Sequence, residues 1–205
     1  MTLDEMICAV QAELGIQIDG KAGPETWAAV YRHIVLRTQR AARAAAAATD
    51  IPMADPRSEQ RIATLLPEVR PLARALVHKA AALGIQIRII SGFRTYEEQA
   101  VLYAQGRTAA GRVVTNARPG YSNHNFGIAF DVGIFEGSRY LGESPQYKAV
   151  GAIGMDIGLE WGGSWKSLVD EPHFQLRPAW AAGLPERQLL AELRARRTSE
   201  SPVYA

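Results

Sequence analysis

YSNHNFGIAFDVGIF, Tyr121 to Phe135, holds His124 and, seven residues on, Asp131. Within it Ile128, Phe130, Val132 and Ile134 alternate with Ala129, Asp131 and Gly133, the period-two pattern of a strand with one buried face. Asp131 therefore points away from the apolar side. A shorter stretch, VDEPHFQL at Val169 to Leu176, contains Asp170 and His173. There Phe174 and Leu176 alternate with His173 and Gln175, so a second strand would present His173 on the polar side that carries Asp131. Two neutral imidazoles and one carboxylate make a three-ligand set for a borderline-soft cation such as zinc and leave a fourth position for water. In outline that is a catalytic metal site.

The composition is compatible with this outline. At 205 residues, 47% of them hydrophobic, the chain has material for one solid core and a small accessory unit. A formal charge of +2 is too mild to imply a nucleic-acid partner. The single cysteine, Cys8, excludes an intramolecular disulfide framework and a thiolate metal cluster. No apolar run approaches the roughly 20 residues needed to cross a bilayer. The start, Met1 to Glu5, is acidic and leads into no long apolar segment, so no secretory signal is expected.

From the N-terminus, residues 3 to 14 have Leu3, Met6, Ile7, Val10 and Leu14 at helical spacing, with Gly15 as a stop. Asp19-Gly20 and Gly23-Pro24 mark turns, and Pro24 pre-sets a second helix carrying Trp27, Val30 and Tyr31. The pattern LG…DG…GPETW resembles one segment of the small helical peptidoglycan-binding domain of wall hydrolases. Residues 1–36 are thus expected to be a wall-binding unit or a plain helical cap. Residues 37–57, with Arg37, Arg40, Arg43, an alanine run and two prolines, suggest a linker whose arginines are solvated.

A second unit, 58–180, opens with one long helical pattern from Ile62 to Leu83, started or kinked by Pro67 and Pro71. A strand, Ile85 to Ile90, ends in Ser91-Gly92-Phe93-Arg94. Thr95 and Glu98 form a capping box for a helix that Gly106 closes. After a loop and the Asp131 strand, Ser144 is expected as N-cap, with Pro145 beginning a helix that runs to about Ile157. A short strand, Leu159 to Trp161, leads through Gly162-Gly163 to Trp165. Residues 181–205 form a basic C-terminal helix and tail. Its leucines, Leu189, Leu190 and Leu193, are expected to pack on the domain, with contact to an anionic membrane as the other use. His33 and His78 lie on helical patterns and are expected to be structural.

YAQGR at Tyr103 to Arg107, VTNA at Val114 to Ala117, SNHNFGIAFD at Ser122 to Asp131 and WGGSWKS…D-x-PHF from Trp161 to Phe174 occur in one order. Over roughly residues 58 to 178 the chain resembles the zinc L-alanyl-D-glutamate endopeptidases of bacteriophage endolysins. Those are relatives of the VanY-like D-alanyl-D-alanine carboxypeptidases. The resemblance implies an α+β fold, a small antiparallel sheet flanked by helices as in hedgehog and D,D-peptidase domains, with a small N-terminal helical unit added. It implies Zn2+ on His124, Asp131 and His173, Asp170 as acid/base, and Arg94 as holder of the oxyanion or of a substrate carboxylate. Ser122 would bind substrate or shape its turn. Ideal strand geometry puts Asp170 and His173 on opposite faces, so Asp170 must reach the site from a turn or bulge, and Glu171 is a competing base. Trp161 and Trp165 would wall the cleft or pack in the core.

The implied function is hydrolysis of the L-alanyl-D-glutamate bond of peptidoglycan by a monomeric, antimicrobial lysis enzyme of a phage or prophage. It would be made in the cytoplasm and reach the wall, in the periplasm, through a holin. The alternatives are a D-alanyl-D-alanine carboxypeptidase or a metal-stabilised wall-binding module without activity.

Overall fold

The computed structural model describes residues 2–31, 51–166 and 168–205. The chain divides into two units, 1–49 and 50–205. His33, the linker arginines and the alanine run lie outside the described residues, as does Ser167.

In the first unit, α1 (Leu3–Glu13) opens on a capping box between Thr2 and Glu5, and α2 (Pro24–Tyr31) begins at Pro24 as its sequence suggests. The apolar spacing of α1 misleads in one respect. Leu3, Met6 and Val10 are exposed, and the buried residue of the helix is Gln11. The Gln11 amide donates to Asp19 Oδ1, the Lys21 carbonyl and Thr26 Oγ1, while its Oε1 accepts from the N–H groups of Asp19 and Gly20. A side chain so placed satisfies the turn's polar groups, which burial would otherwise penalise.

The second unit is α+β. Its first helix, α3 (Pro56–Ile62), starts two residues before the expected boundary, because Asp55 Oδ1 accepts from the N–H groups of Arg57 and Ser58 and Pro56 suits the first turn. The expected single helix from Ile62 to Leu83 is cut short: α3 ends at Ile62, residues 63–69 are not helical, and α4 (Arg70–Ala82) starts beside Pro71, since Pro67 and Pro71 favour a break and a new start. Glu59 of α3 clamps Arg74 of α4 through two hydrogen bonds, both 2.8 Å. The Arg74 hydrogen bond holds the Glu59 carboxyl below its ordinary range. That stabilisation is fully present above the unfolded pKa of about 4.3 and is lost as pH falls through the lower folded value. Arg74→Ala is expected to cost about 1.5–3 kcal/mol at neutral pH. Urea unfolding should show the difference from wild type shrinking in acid.

Five antiparallel strands follow: β1 (Ile87–Ser91), β2 (Ala129–Glu136), β3 (Arg139–Leu141), β4 (Glu160–Trp161) and β5 (His173–Gln175). The sheet runs β1-β2-β5-β4, with β3 paired to the far end of β2. Helix α5 (Tyr96–Ala104) is capped by the Thr95–Glu98 box, and α6 (Gln146–Asp156) begins one residue later than expected, with Pro145 as N-cap. One face of the sheet buries Ile87, Ile89, Phe130, Val132, Ile134 and Phe174 against α4 and α6. Phe130 and Phe174 stack with centroids 5.9 Å apart.

Helix α6 approaches the sheet through glycine. A Cβ on Gly154 would lie 2.4 Å from the Phe174 ring. Gly154→Ala gains about 1 kcal/mol of helix propensity and meets an overpacking cost of about 1–3 kcal/mol. A lower melting temperature is therefore expected.

The C-terminal helix, α7 (Glu186–Thr198), buries Leu189, Leu190 and Leu193 with Phe126, Ile128 and Ala181 in a second apolar cluster. Its leucines pack on the domain that holds the site.

Candidate metal centre

The polar side of β2 is where the site assembles. Asp131 stands directly across the ladder from His173 on one side and from Ser91 on the other. His124 comes from a 3-10 turn, Asn123–Phe126, just before β2. Two hydrogen bonds, one between backbones and one from a side chain, hold that turn to the segment after β1. Arg94 N–H donates to the His124 carbonyl (3.0 Å), and Asn125 Nδ2 donates to the Arg94 carbonyl (2.8 Å). One ligand atom from each of His124, Asp131 and His173 lies within 4.8 Å of the others. Asp131 Oδ1 is 3.3 Å from both His124 Nε2 and His173 Nδ1.

Hydrogen bonds on the outer edges of the two rings decide which nitrogens face inward. His124 Nδ1 meets the Gly92 carbonyl at 2.8 Å, so it carries the proton and Nε2 turns a lone pair toward Asp131. His173 Nε2 meets Gln175 Oε1 at 3.0 Å, which leaves its Nδ1 lone pair facing the same carboxylate. Two lone pairs and an anion converging on one point repel unless a cation lies among them. These residues fit a zinc-type divalent ion, the set of two nitrogens and one oxygen that such an ion prefers.

In the metal-free cluster the imidazoles, when protonated, supply the counter-charge instead. Burial pushes the Asp131 carboxyl up, but His124 and His173 outweigh it and hold the group well below its ordinary value. Burial pushes the His173 imidazole down, and Asp131 more than reverses this.

Asp170 precedes β5 in a turn closed by a hydrogen bond from His173 N–H to the Asp170 carbonyl (3.2 Å). The expected conflict between strand faces is resolved by that turn. Burial raises the Asp170 carboxyl, and the charge of Asp131 raises it further, against the pull of His173 and His124. The Asp170 side chain thus feels every member of the cluster. Glu171 contributes its carbonyl to Trp161 Nε1 (2.7 Å), and its charge acts on Tyr147, in the core. A cleft bounded by residues 143–145 and 169–172 has Asp170 in its wall. Gly162 lets this segment come close, since a Cβ there would sit 2.5 Å from the Asp170 carbonyl oxygen.

Arg94 is held by Gln99 Oε1 (2.8 Å) and Ser91 Oγ (3.2 Å), with a guanidinium nitrogen 3.9 Å from Asp131 Oδ2. Ser122 precedes the His124 turn and accepts from Asn125 N–H through its carbonyl. Its hydroxyl makes no hydrogen bond among the described residues. Trp165 lies against His173, ring centroids 5.1 Å apart, whereas Trp161 is buried in the core. His78 bonds the Pro52 carbonyl (2.9 Å), far from the cluster in role and kind.

Several participants escape a reading of the sequence alone. Gln175 and Asn123 are buried polar residues behind His173, linked to Glu160, Arg177 and Glu186. The available signal was Gln175 itself, two residues after His173 on the same strand face.

A buried cluster of two histidines and an aspartate, with a separate carboxylate of raised pKa beside it, is the equipment of a metallopeptidase. Residues 63–167 match the VanY family, described as D-alanyl-D-alanine carboxypeptidase, and the chain belongs to that family. It is 40% identical over 126 residues to the peptidoglycan L-alanyl-D-glutamate endopeptidase CwlK of Bacillus subtilis (strain 168), covering 56% of this chain and 74% of that one. It is 30% identical over 122 residues to the L-alanyl-D-glutamate peptidase of Listeria phage A118, covering 58% of this chain and 40% of the phage protein. Among solved structures, the Serratia marcescens L-Ala D-Glu endopeptidase ChiX aligns with a TM-score of 0.45 at 20% identity, over 62% of this chain and 92% of that one.

Proposed function

We propose that this chain is a zinc-dependent peptidoglycan hydrolase that cuts the L-alanyl-D-glutamate bond of stem peptides. The observation that carries the reading is the 40% identity to an endopeptidase named for that bond. His124, Asp131 and His173 would hold the zinc. When bound, zinc supplies Lewis acidity and lowers the pKa of water to about 7. Asp170, raised above the ordinary carboxylate range, takes the proton of the attacking water and delivers it to the leaving amine. Arg94, permanently charged and held by Gln99 and Ser91, stabilises the oxyanion or grips a substrate carboxylate. Arg94→Ala is expected to lower turnover by about 100-fold or more, measured on soluble muropeptides.

Residues 1–36 are read as a wall-attachment unit or a helical cap, 37–57 as a linker whose last two residues enter α3, 58–180 as the peptidase and 181–205 as its C-terminal helix and tail. The protein would act as a monomer on the wall in a lysis role, with release through a holin; the phage origin of one relative is consistent with this reading. The family description favours one second reading, removal of terminal D-alanine.

Digestion of purified peptidoglycan by zinc-loaded and chelator-stripped protein, followed by mass spectrometry, separates the readings. New N-terminal D-glutamate, appearing only with metal, is expected. Loss of terminal D-alanine instead would move the chain to the carboxypeptidase reading.

A further inference from the structure

Behind His173 five side chains close a hydrogen-bonded ring. Gln175 Nε2 donates to Glu160 Oε2 (2.7 Å), and Arg177 joins Glu160 Oε1 (2.5 Å) to Glu186 Oε2 (2.7 Å). Asn123 Nδ2 completes it, donating to both Glu186 Oε1 and Gln175 Oε1. We propose that Glu186, in the first turn of α7, is a positioning residue for His173: through Asn123 and Gln175 it keeps the imidazole's Nδ1 lone pair aimed at the metal position. The C-terminal helix is then a working part of the metal centre. This inference rests on the zinc reading above.

The polarity of the ring runs one way. Carboxylates accept only, so Glu160 takes a Gln175 N–H and Glu186 takes an Asn123 N–H. Those two bonds orient both amides, and Gln175 Oε1 is left facing His173 Nε2 and Asn123 Nδ2. An acceptor at that place requires the proton on Nε2. Release Asn123 from Glu186 and its amide can turn, presenting oxygen to Gln175. That oxygen–oxygen contact pushes Gln175 Oε1 off His173 Nε2 while Glu160 keeps its hold on the Gln175 N–H. The imidazole loses the acceptor that fixes its proton on Nε2, and the proton can pass to Nδ1, where it blocks a metal. Asn123, His173 and Gln175 are all buried, so bulk water does not replace a lost partner. The orientation has a cost, since Asn123 Oδ1 is buried without a hydrogen bond among the described residues, and the two bonds of Nδ2 outweigh it. Meanwhile Leu189, Leu190 and Leu193 anchor α7 independently of Glu186.

The test is zinc titration of metal-free, full-length wild type, E186A, E186Q, N123S and E192A against a chromophoric chelator, with circular dichroism and thermal melting on each. E186A is expected to bind zinc about 10–100-fold more weakly. E186Q, which keeps an acceptor for Asn123, should stay near wild type, and so should E192A, whose carboxylate pairs with Arg196. N123S cuts the link while sparing the Arg177–Glu186 ion pair, and it should match E186A, with no further loss in the double variant. Wild-type affinity in folded E186A and N123S, even with a lowered melting temperature, would overturn the inference and leave Glu186 structural. If E186A does not fold, N123S decides alone. Failure of wild type itself to take up zinc would instead sink the zinc reading, and this inference with it.

Discussion

Asp170→Ala is expected to leave zinc bound and to lower turnover on peptidoglycan by about 10²–10⁴-fold, the usual contribution of a positioned acid/base. Burial, and after it the charge of Asp131, raises the Asp170 carboxyl against the pull of His173 and His124, and the residue lies in the wall of the adjoining cleft. Glu171 lines the same cleft, but it is the Asp170 charge that acts on His173. Zinc content by atomic absorption, beside the rate of D-glutamate N-terminus release, checks the two halves separately. Near-normal turnover in Asp170→Ala, with loss in Glu171→Ala, would transfer the role to Glu171. A parallel loss of zinc would mean that Asp170 supports the metal rather than the proton transfer.

Asp131→Ala is expected to weaken zinc uptake by more than about 100-fold, beyond the loss typical of an outer partner, with activity lost alongside. Asp131 is the anion between the two inward lone pairs and the nearest counter-charge to Arg94. Calorimetric zinc titration reads this directly. The same variant changes acid stability of the metal-free protein, and the sign follows from the depressed carboxyl. Stabilisation from Asp131 is present above the unfolded pKa of about 3.9 and is lost as pH falls through the lower folded value. Urea unfolding of metal-free protein should therefore show a flatter acid limb in Asp131→Ala. An unchanged limb would mean that the His124 and His173 interactions do not persist without metal.

Much of the site was legible because its chemistry is local in sequence. The alternation through Ile128 to Ile134 reports one strand, and a strand repeats its side-chain direction every second residue, so Asp131 had to leave the apolar face. His173 on the same polar side followed from Phe174 and Leu176. The Thr95–Glu98 capping box, Pro24 at a helix start and Gly15 at a stop are likewise short-range devices whose geometry needs no distant partner. Periodicity served less well in the short first helix. In α1 the spacing of Leu3, Met6 and Val10 pointed inward, while Gln11 took the buried place because the turn's polar groups needed a partner.

The sequence by itself determined the residue types at the candidate metal centre, the strand that presents Asp131 and the order of the elements, since each depends on neighbours a few positions apart. Only the tertiary structure decided the register that sets Asp131 opposite His173, the turn that brings Asp170 back to the site, and the amide ring that ties Glu160, Asn123 and Glu186 to His173. Glu186 lies 63 positions from Asn123. A hydrogen bond across that separation leaves no periodic trace in the chain, because what creates it is the packing of α7 leucines against Phe126 and Ile128, not any pattern around either residue.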